Sequence, residues 1–141
     1  MAEAIEVLEV DFAERLDAIR SVRFAVFVEE QGVPAEIEMD EWDACSRHVL
    51  ASKAGTALGT GRLLPDGHIG RLAVLPSYRG QGVGIRIMEE LMRLGREAGL
   101  RSFVLSAQVH AAPFYEGLGF VRRGPVFEEA GIPHVEMTLE A

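Results

Sequence analysis

Six residues, Arg79-Gly80-Gln81-Gly82-Val83-Gly84, constrain this chain more than any others. They lie between a strand-like run, Ile69 to Leu75, and a helix-like run, Val83 to Ala98. Glycines at alternate positions carry no Cβ, so the backbone can approach a bulky anion closely. A helix opening directly behind them presents N–H groups without internal partners, at the positive end of its dipole. The unit therefore predicts a phosphate-bearing ligand, and with it an enzyme.

Two common phosphate loops are excluded. A nucleotide P-loop ends in Gly-Lys-Ser/Thr, but here Gly84-Ile85-Arg86 stands in that place, and Lys53 is the only lysine in the chain. A dinucleotide fingerprint needs a third glycine, where this chain has Ile85. The acid expected about 20 residues further on is missing from Leu100-Arg101-Ser102-Phe103-Val104-Leu105-Ser106.

What remains, Arg-x-x-Gly-x-Gly after Leu72-Ala73-Val74-Leu75-Pro76, resembles the acetyl-CoA pyrophosphate loop of the GNAT superfamily of N-acetyltransferases. A second segment, Ala112-Pro113-Phe114-Tyr115-Glu116-Gly117-Leu118-Gly119-Phe120, is similar to that superfamily's A-x-x-F/L-Y-E-x-x-G-F motif. The stretch between the two has room for one helix and one strand, and the likeness runs from about Ile5 to Leu139. Val26-Phe27-Val28-Glu29-Glu30-Gln31-Gly32-Val33-Pro34 resembles a helix-end signature of a bacterial subgroup.

Hydrophobic patterning gives the order β-α-(loop)-β-β-β-α-β-α-β-β over one domain, residues 1–141. Asp11 reads as the N-cap of a helix reaching about Glu30, with Glu14 three residues on. Val83, Ile87, Leu91 and Leu94 mark the buried stripe of the helix behind the glycine loop. Residues 33–46 read as irregular, with any helix there short or absent. Phe120 to Arg123 and Ile132 to Leu139 close the sheet. The expected class is α/β (α+β), a mixed central β-sheet flanked by helices on both faces.

A net charge of −8 disfavours nucleic acid as a partner. No apolar run approaches the length of a membrane span, and Met1-Ala2-Glu3-Ala4-Ile5-Glu6 lacks the layout of a signal peptide. A cytoplasmic protein is expected. Cys45, the single cysteine, permits no internal disulfide and reads as a small apolar filler.

The resemblance assigns roles residue by residue. Backbone groups of Arg79, Gly80, Gln81, Gly82, Val83 and Gly84 would wrap the pyrophosphate of acetyl-CoA, the co-substrate. The strand Leu72-Ala73-Val74 would splay from its neighbour, Ser102–Ser106, and bind pantetheine through its backbone. An amide of Leu72 or Val74 would act as oxyanion donor. Phe114 and Gln108, the latter where relatives carry asparagine, would contact the cofactor. Tyr115 would protonate the departing thiolate.

For the general base the candidates are Glu29, Glu30, Glu38, Asp40, Asp43, His48, His68 and His110, or a water relayed by one of them. His48, among strand residues facing the expected cleft, is favoured. The acidic stretch Glu29 to Asp43, seven carboxylates in fifteen residues, either attracts a cationic amine or is a solvated loop. Arg62 and Arg71 either bind an acidic group of the acceptor or pair with neighbouring carboxylates. The implied reaction is direct acetyl transfer to a primary amine, small molecule or peptide, in a ternary complex, and the resemblance is compatible with a homodimer. The alternatives are a non-catalytic acyl-CoA sensor on the same scaffold and a nucleotide-binding protein of another fold.

Overall fold

The structure, a computed structural model, describes residues 4–140; the start of the acidic N-terminus, Met1–Glu3, lies outside the described residues. Among these, seven strands form two antiparallel sheets. β1 (Ile5–Val10), β2 (Arg47–Lys53), β3 (Thr56–Leu63) and β4 (Ile69–Val74) pair in chain order. In the second sheet β7 (Ile132–Glu140) lies between β5 (Ser102–Gln108) and β6 (Val121–Glu129). A parallel bridge between His68 and Val104 joins the sheets, with Val104 N–H donating to Gly67 O at 3.1 Å. Beyond that bridge β4 and β5 are unpaired, and a wedge-shaped gap opens between them. The expected mixed sheet is thus two antiparallel halves with one parallel joint.

Helices cover both faces. On one, α3 (Val83–Glu97) sets its buried stripe of Val83, Ile87, Leu91 and Leu94 against β3. Each such side chain contributes roughly 1.5–3 kcal/mol when fully buried. The approach is close: a Cβ on Gly61 would stand 2.9 Å from Leu91 Cδ1 and 3.0 Å from Ile87 Cγ2. On the other face α1 (Leu16–Arg23) packs Val22 against Ala73 of β4.

The ends of these elements refine the sequence reading. Asp11 does cap, its Oδ1 accepting from Glu14 N at 3.0 Å, but it caps a turn, and α1 proper starts at Leu16. The same helix widens into a π-helical stretch, Phe24–Glu30, closed by Gln31 N donating to Val26 O at 3.1 Å. Such segments are frequent at functional sites, and this one brings Phe27, Glu30 and Gln31 to the gap. Residues 33–46 hold one helical turn, α2 (Ala35–Glu38), and a 3₁₀ turn, Asp43–Cys45. Cys45 is exposed, its thiol donating to Trp42 O at 3.3 Å, so it fills no core. β6 runs to Glu129, well past Arg123, because the break at Gly124-Pro125 is accommodated as a register shift between Arg123 and Phe127. An edge strand tolerates proline at such a bulge.

Candidate active site

The gap between β4 and β5 deepens into a cavity of about 970 Å³. Its walls are the exposed edge of β4, the glycine loop, the π-helical end of the first helix, α4 (Ala112–Gly117) and the β6–β7 hairpin.

The β4 edge presents its backbone to this cavity. Leu75 N donates to Leu58 O at 2.9 Å, and the register continues through Gly59–Val74 and Thr60–Ala73. Antiparallel ladders alternate bonded and non-bonded pairs. Ala73 therefore bonds towards β3, and the amide and carbonyl of Val74 face the gap. Val74 O already accepts from Arg79 Nε at 2.9 Å. Between Ala73 and Gly70 two residues, Arg71 and Leu72, stand against Gly61 alone, a β-bulge. Arg71 sits there at φ 51°, a left-handed conformation costing a non-glycine residue about 1–3 kcal/mol. Its guanidinium is held by Glu38 O at 3.2 Å and Asp40 Oδ2 at 3.1 Å.

The glycine loop is built for backbone donation. Gly80 and Gly82 lie at φ 78° and 79°, and Gly82 is the N-cap of α3 with no side-chain cap. The first intrahelical bond runs from Arg86 N to Gly82 O at 3.1 Å. The amides of Val83, Gly84 and Ile85 are left without helical acceptors, and the first turn carries no acidic residue to compete with an anion. Gln81 points out and donates to Ser77 O at 3.2 Å, off the cavity lining. Arg79 pairs with Glu30 through two contacts of 2.7 and 2.6 Å, tying the loop to the first helix.

Across the gap, Phe114 and Tyr115 of α4 line the same cavity. Tyr115 is wedged edge-on between Phe114 at 5.0 Å and Phe120 at 6.2 Å. Burial pushes its phenol up to about 12. Among the described residues its hydroxyl has no hydrogen-bond partner. Gln108, at the end of β5, donates through Nε2 to Gln31 Oε1 at 2.7 Å.

Three of the seven carboxylates of the acidic segment, Glu38, Asp40 and Asp43, are held by arginines, while Glu29, Glu36 and Glu41 are exposed. Arg23, 1 % exposed, donates to Glu38 Oε1 at 2.8 Å and Asp43 Oδ1 at 2.7 Å. Arg62 donates to Asp40 Oδ1 at 2.6 Å and Asp43 Oδ1 at 3.0 Å, and with Arg71 the three arginines balance three carboxylates. Burial raises the Asp43 carboxyl, but the Arg23 and Arg62 guanidiniums outweigh it and hold Asp43 below its ordinary value. For Glu38 burial prevails over Arg23 and its carboxyl is pushed up. Of the two readings of Arg62 and Arg71, pairing with carboxylates is the one realised.

His48 is not brought to the cavity. It is 1 % exposed beneath this cluster, stacked on Phe12 at 4.6 Å, with Nε2 2.8 Å from Asp43 O. Burial depresses its basicity, and a ring with no edge in the cavity cannot take a proton from a bound amine. Its strand position shares a sheet face with Arg62, which does line the cavity, but His48 lies one strand further from the β4 edge and the ion cluster covers it.

Three other histidines do line the cavity: His68, His110 and His134. His68 is held in the β3–β4 turn by Asp66, with Nδ1 2.9 Å from Oδ1. His110 is exposed on a 3₁₀ turn after β5. His134, on β7, escaped the sequence reading, as did its neighbour Glu129. The available signal was period two: Val135, Met137 and Leu139 point to the core, so His134 points the other way.

A strand splayed from its neighbour, a glycine loop at a helix N-terminus and a tyrosine facing both form one acyl-transfer architecture. The sequence profile of the acetyltransferase (GNAT) domain matches residues 15–141. The chain belongs to the GNAT acetyltransferase family. As a GNAT protein it is an acyltransferase that uses acyl-CoA. It is 41% identical over 128 residues to the uncharacterized N-acetyltransferase YjcF of Bacillus subtilis, an alignment covering 88% of this chain and 91% of YjcF. The crystal structure of Escherichia coli ElaA superposes with a TM-score of 0.86 at 31% identity, covering 96% of this chain and 99% of that one. An acyl-CoA N-acyltransferase from Pseudomonas aeruginosa superposes with a TM-score of 0.85 at 31% identity and the same coverage. No helix of the described residues is long and apolar enough to cross a membrane.

Proposed function

We propose that this chain is a cytoplasmic enzyme that moves an acetyl group from acetyl-CoA to a primary amine, by direct attack within a ternary complex. The observation that carries this reading is the unpaired β4 edge, which aims the Val74 amide into the same cavity that Tyr115 faces. Loop amides from Arg79 to Gly84 receive the pyrophosphate, and the wedge receives the pantetheine arm. The neutral amine attacks the thioester carbon, a C–N bond forms, and the carbonyl oxygen gains charge. The Val74 amide is the fixed donor for that oxyanion. The C–S bond then breaks, and Tyr115 donates a hydrogen bond and then its proton to the departing sulfur. The phenolate is restored by the proton that the attacking nitrogen loses in becoming an amide.

A phenol near 12 is a weak acid beside a thiol of about 8.5 in water. The burial that raises Tyr115 raises a thiol bound in the same cavity too, which narrows the mismatch. The strength of the phenol as donor therefore depends on the cavity being closed around both groups.

Calorimetric titration with acetyl-CoA, with ATP and NAD as controls, is the first test, and micromolar binding of acetyl-CoA alone is expected. Tyr115→Phe should then lower turnover by about 100-fold or more, with acetyl-CoA affinity changed less than threefold or so. Retained turnover in Tyr115→Phe removes the tyrosine from the reaction. Tight CoA binding without turnover on any amine points to an acyl-CoA sensor.

A further inference from the structure

Three carboxylates line the cavity, and they differ in what neutralises them. Glu30 is paired with Arg79, and Glu38 with Arg23 and Arg71. Glu129 has no arginine or lysine partner among the described residues; its Oε2 faces His134 Nε2 at 3.5 Å. Two groups from adjacent strands, at the mouth of the β6–β7 hairpin, thus address the same space.

The tautomer of His134 follows from its other nitrogen. Nδ1 lies 2.7 Å from Ile132 O. A carbonyl can only accept, so Nδ1 carries the hydrogen, and Nε2 of the neutral ring presents a lone pair. The ring is locked: it is 7 % exposed, stacked on Phe127 with centroids 6.0 Å apart, and opposed across β5 by Gln108. Nε2 and the Glu129 carboxylate are then two acceptors facing each other with no donor between them. Their 3.5 Å separation exceeds that of a charge-assisted bond, about 2.7–2.9 Å. A group with two or more N–H bonds and a positive charge satisfies both, and a primary ammonium is that group.

We infer that Glu129 and His134 form the acceptor-ammonium site of this enzyme, with Glu129 holding the cation and His134 Nε2 removing its proton. The inference rests on the acetyl-transfer reading above. The balance is simple: one N–H bond of R–NH3⁺ breaks, its proton forms a bond to Nε2, and the electron pair stays on the nitrogen that attacks the thioester. The imidazolium so formed keeps its Nδ1–H bond to Ile132 O and faces an anion, Glu129. Neither other cavity histidine is arranged this way. His68 is engaged with Asp66, and His110 has no hydrogen-bond partner among the described residues.

The test uses the full chain labelled with ¹⁵N-histidine. Long-range ¹H–¹⁵N spectra should show His134 as the Nδ1–H tautomer. n-Butylammonium should move its Nε2 resonance saturably, while n-butyltrimethylammonium, which has no N–H, should not. Glu129→Gln, at a side chain 59 % exposed and so safe for folding, should weaken that response at least tenfold. An Nε2–H tautomer, an equal response to the quaternary ion, or a response confined to His110 overturns the inference. In acetyl transfer to n-butylamine, His134→Gln should cost at least 100-fold in kcat with acetyl-CoA affinity retained; unchanged kcat removes His134 as the base. A wild-type chain that fails to bind acetyl-CoA sinks the transferase reading, and the ammonium titration still reports on this site separately.

Discussion

The two walls of the cavity are built by opposite means. On the β4–α3 side the functional groups are backbone amides, placed by φ angles and by glycine. On the opposite side the segment from Ala35 to Cys45 is placed by side chains, through three arginines and three carboxylates that balance one another. The first wall tolerates many side chains but no misplaced Cβ. The second tolerates backbone irregularity but not an unbalanced charge, and Arg71 of β4, left-handed at φ 51°, ties the two together. A change that harms one wall should therefore leave the other nearly intact.

The largest expected break is Arg23→Met. It leaves Glu38 with only the more distant Arg71, at 3.6 Å, and Asp43 with Arg62 as its one remaining arginine in a buried site. Removing one partner of a buried ion pair costs about 3–5 kcal/mol, a large share of the total for a domain of this size. Urea unfolding should show that loss. Arg23→Met combined with Glu38→Met should recover part of it, because two buried charges then leave together. If the single variant loses less than about 1 kcal/mol, the cluster is not what positions this wall.

Gly82→Ala probes the other wall with a smaller effect. A Cβ at Gly82 meets nothing within 4 Å, so only the φ of 79° opposes it. Left-handed backbone costs an L-residue roughly 1–2 kcal/mol. The cost is expected as weaker acetyl-CoA binding, about 5- to 30-fold by calorimetry, if the loop relaxes to avoid the strain. A wild-type affinity with an equivalent loss of stability means the loop holds its shape regardless. Either way the ion cluster stays intact, which the near-wild-type solubility and spectra of the variant would show.

This contrast also explains which parts were legible in the sequence. The glycine loop, the α3 stripe and the element order are local: each is written in residues adjacent or a helical turn apart. The ion cluster joins residues 15 to 33 apart, and no spacing rule relates them, so the acidic stretch could be read equally as solvated or as an acceptor lure. Tyr115 was found through its motif, while His134 stands in a strand whose only cue was alternation. His48 shares its sheet face with Arg62, its partner across β2 and β3, which lines the cavity. What removes His48 is its place one strand further from the β4 edge, beneath the ion cluster, and strand order is not written in local spacing.

The smallest effect expected is a pH dependence carried by His48. Burial holds its basicity below the ordinary value of 6.5, and the Arg23 and Arg62 charges act in the same direction against its bond to Asp43 O. The folded protein therefore binds that proton less readily than the unfolded chain. His48 contributes stability that is present above 6.5 and is lost as pH falls from there towards its folded value. Asp40 and Asp43, held below 3.8, contribute stability that is lost only as pH falls below that value. The His48 window opens at a higher pH than that of the two aspartates. Urea midpoints from about pH 7.5 to about pH 5 should fall for the wild type and stay flatter for His48→Gln, which keeps an N–H donor for Asp43 O. Parallel curves across that range would mean that His48 titrates alike in both states and that water reaches the ion cluster, which would erase the difference between the two walls.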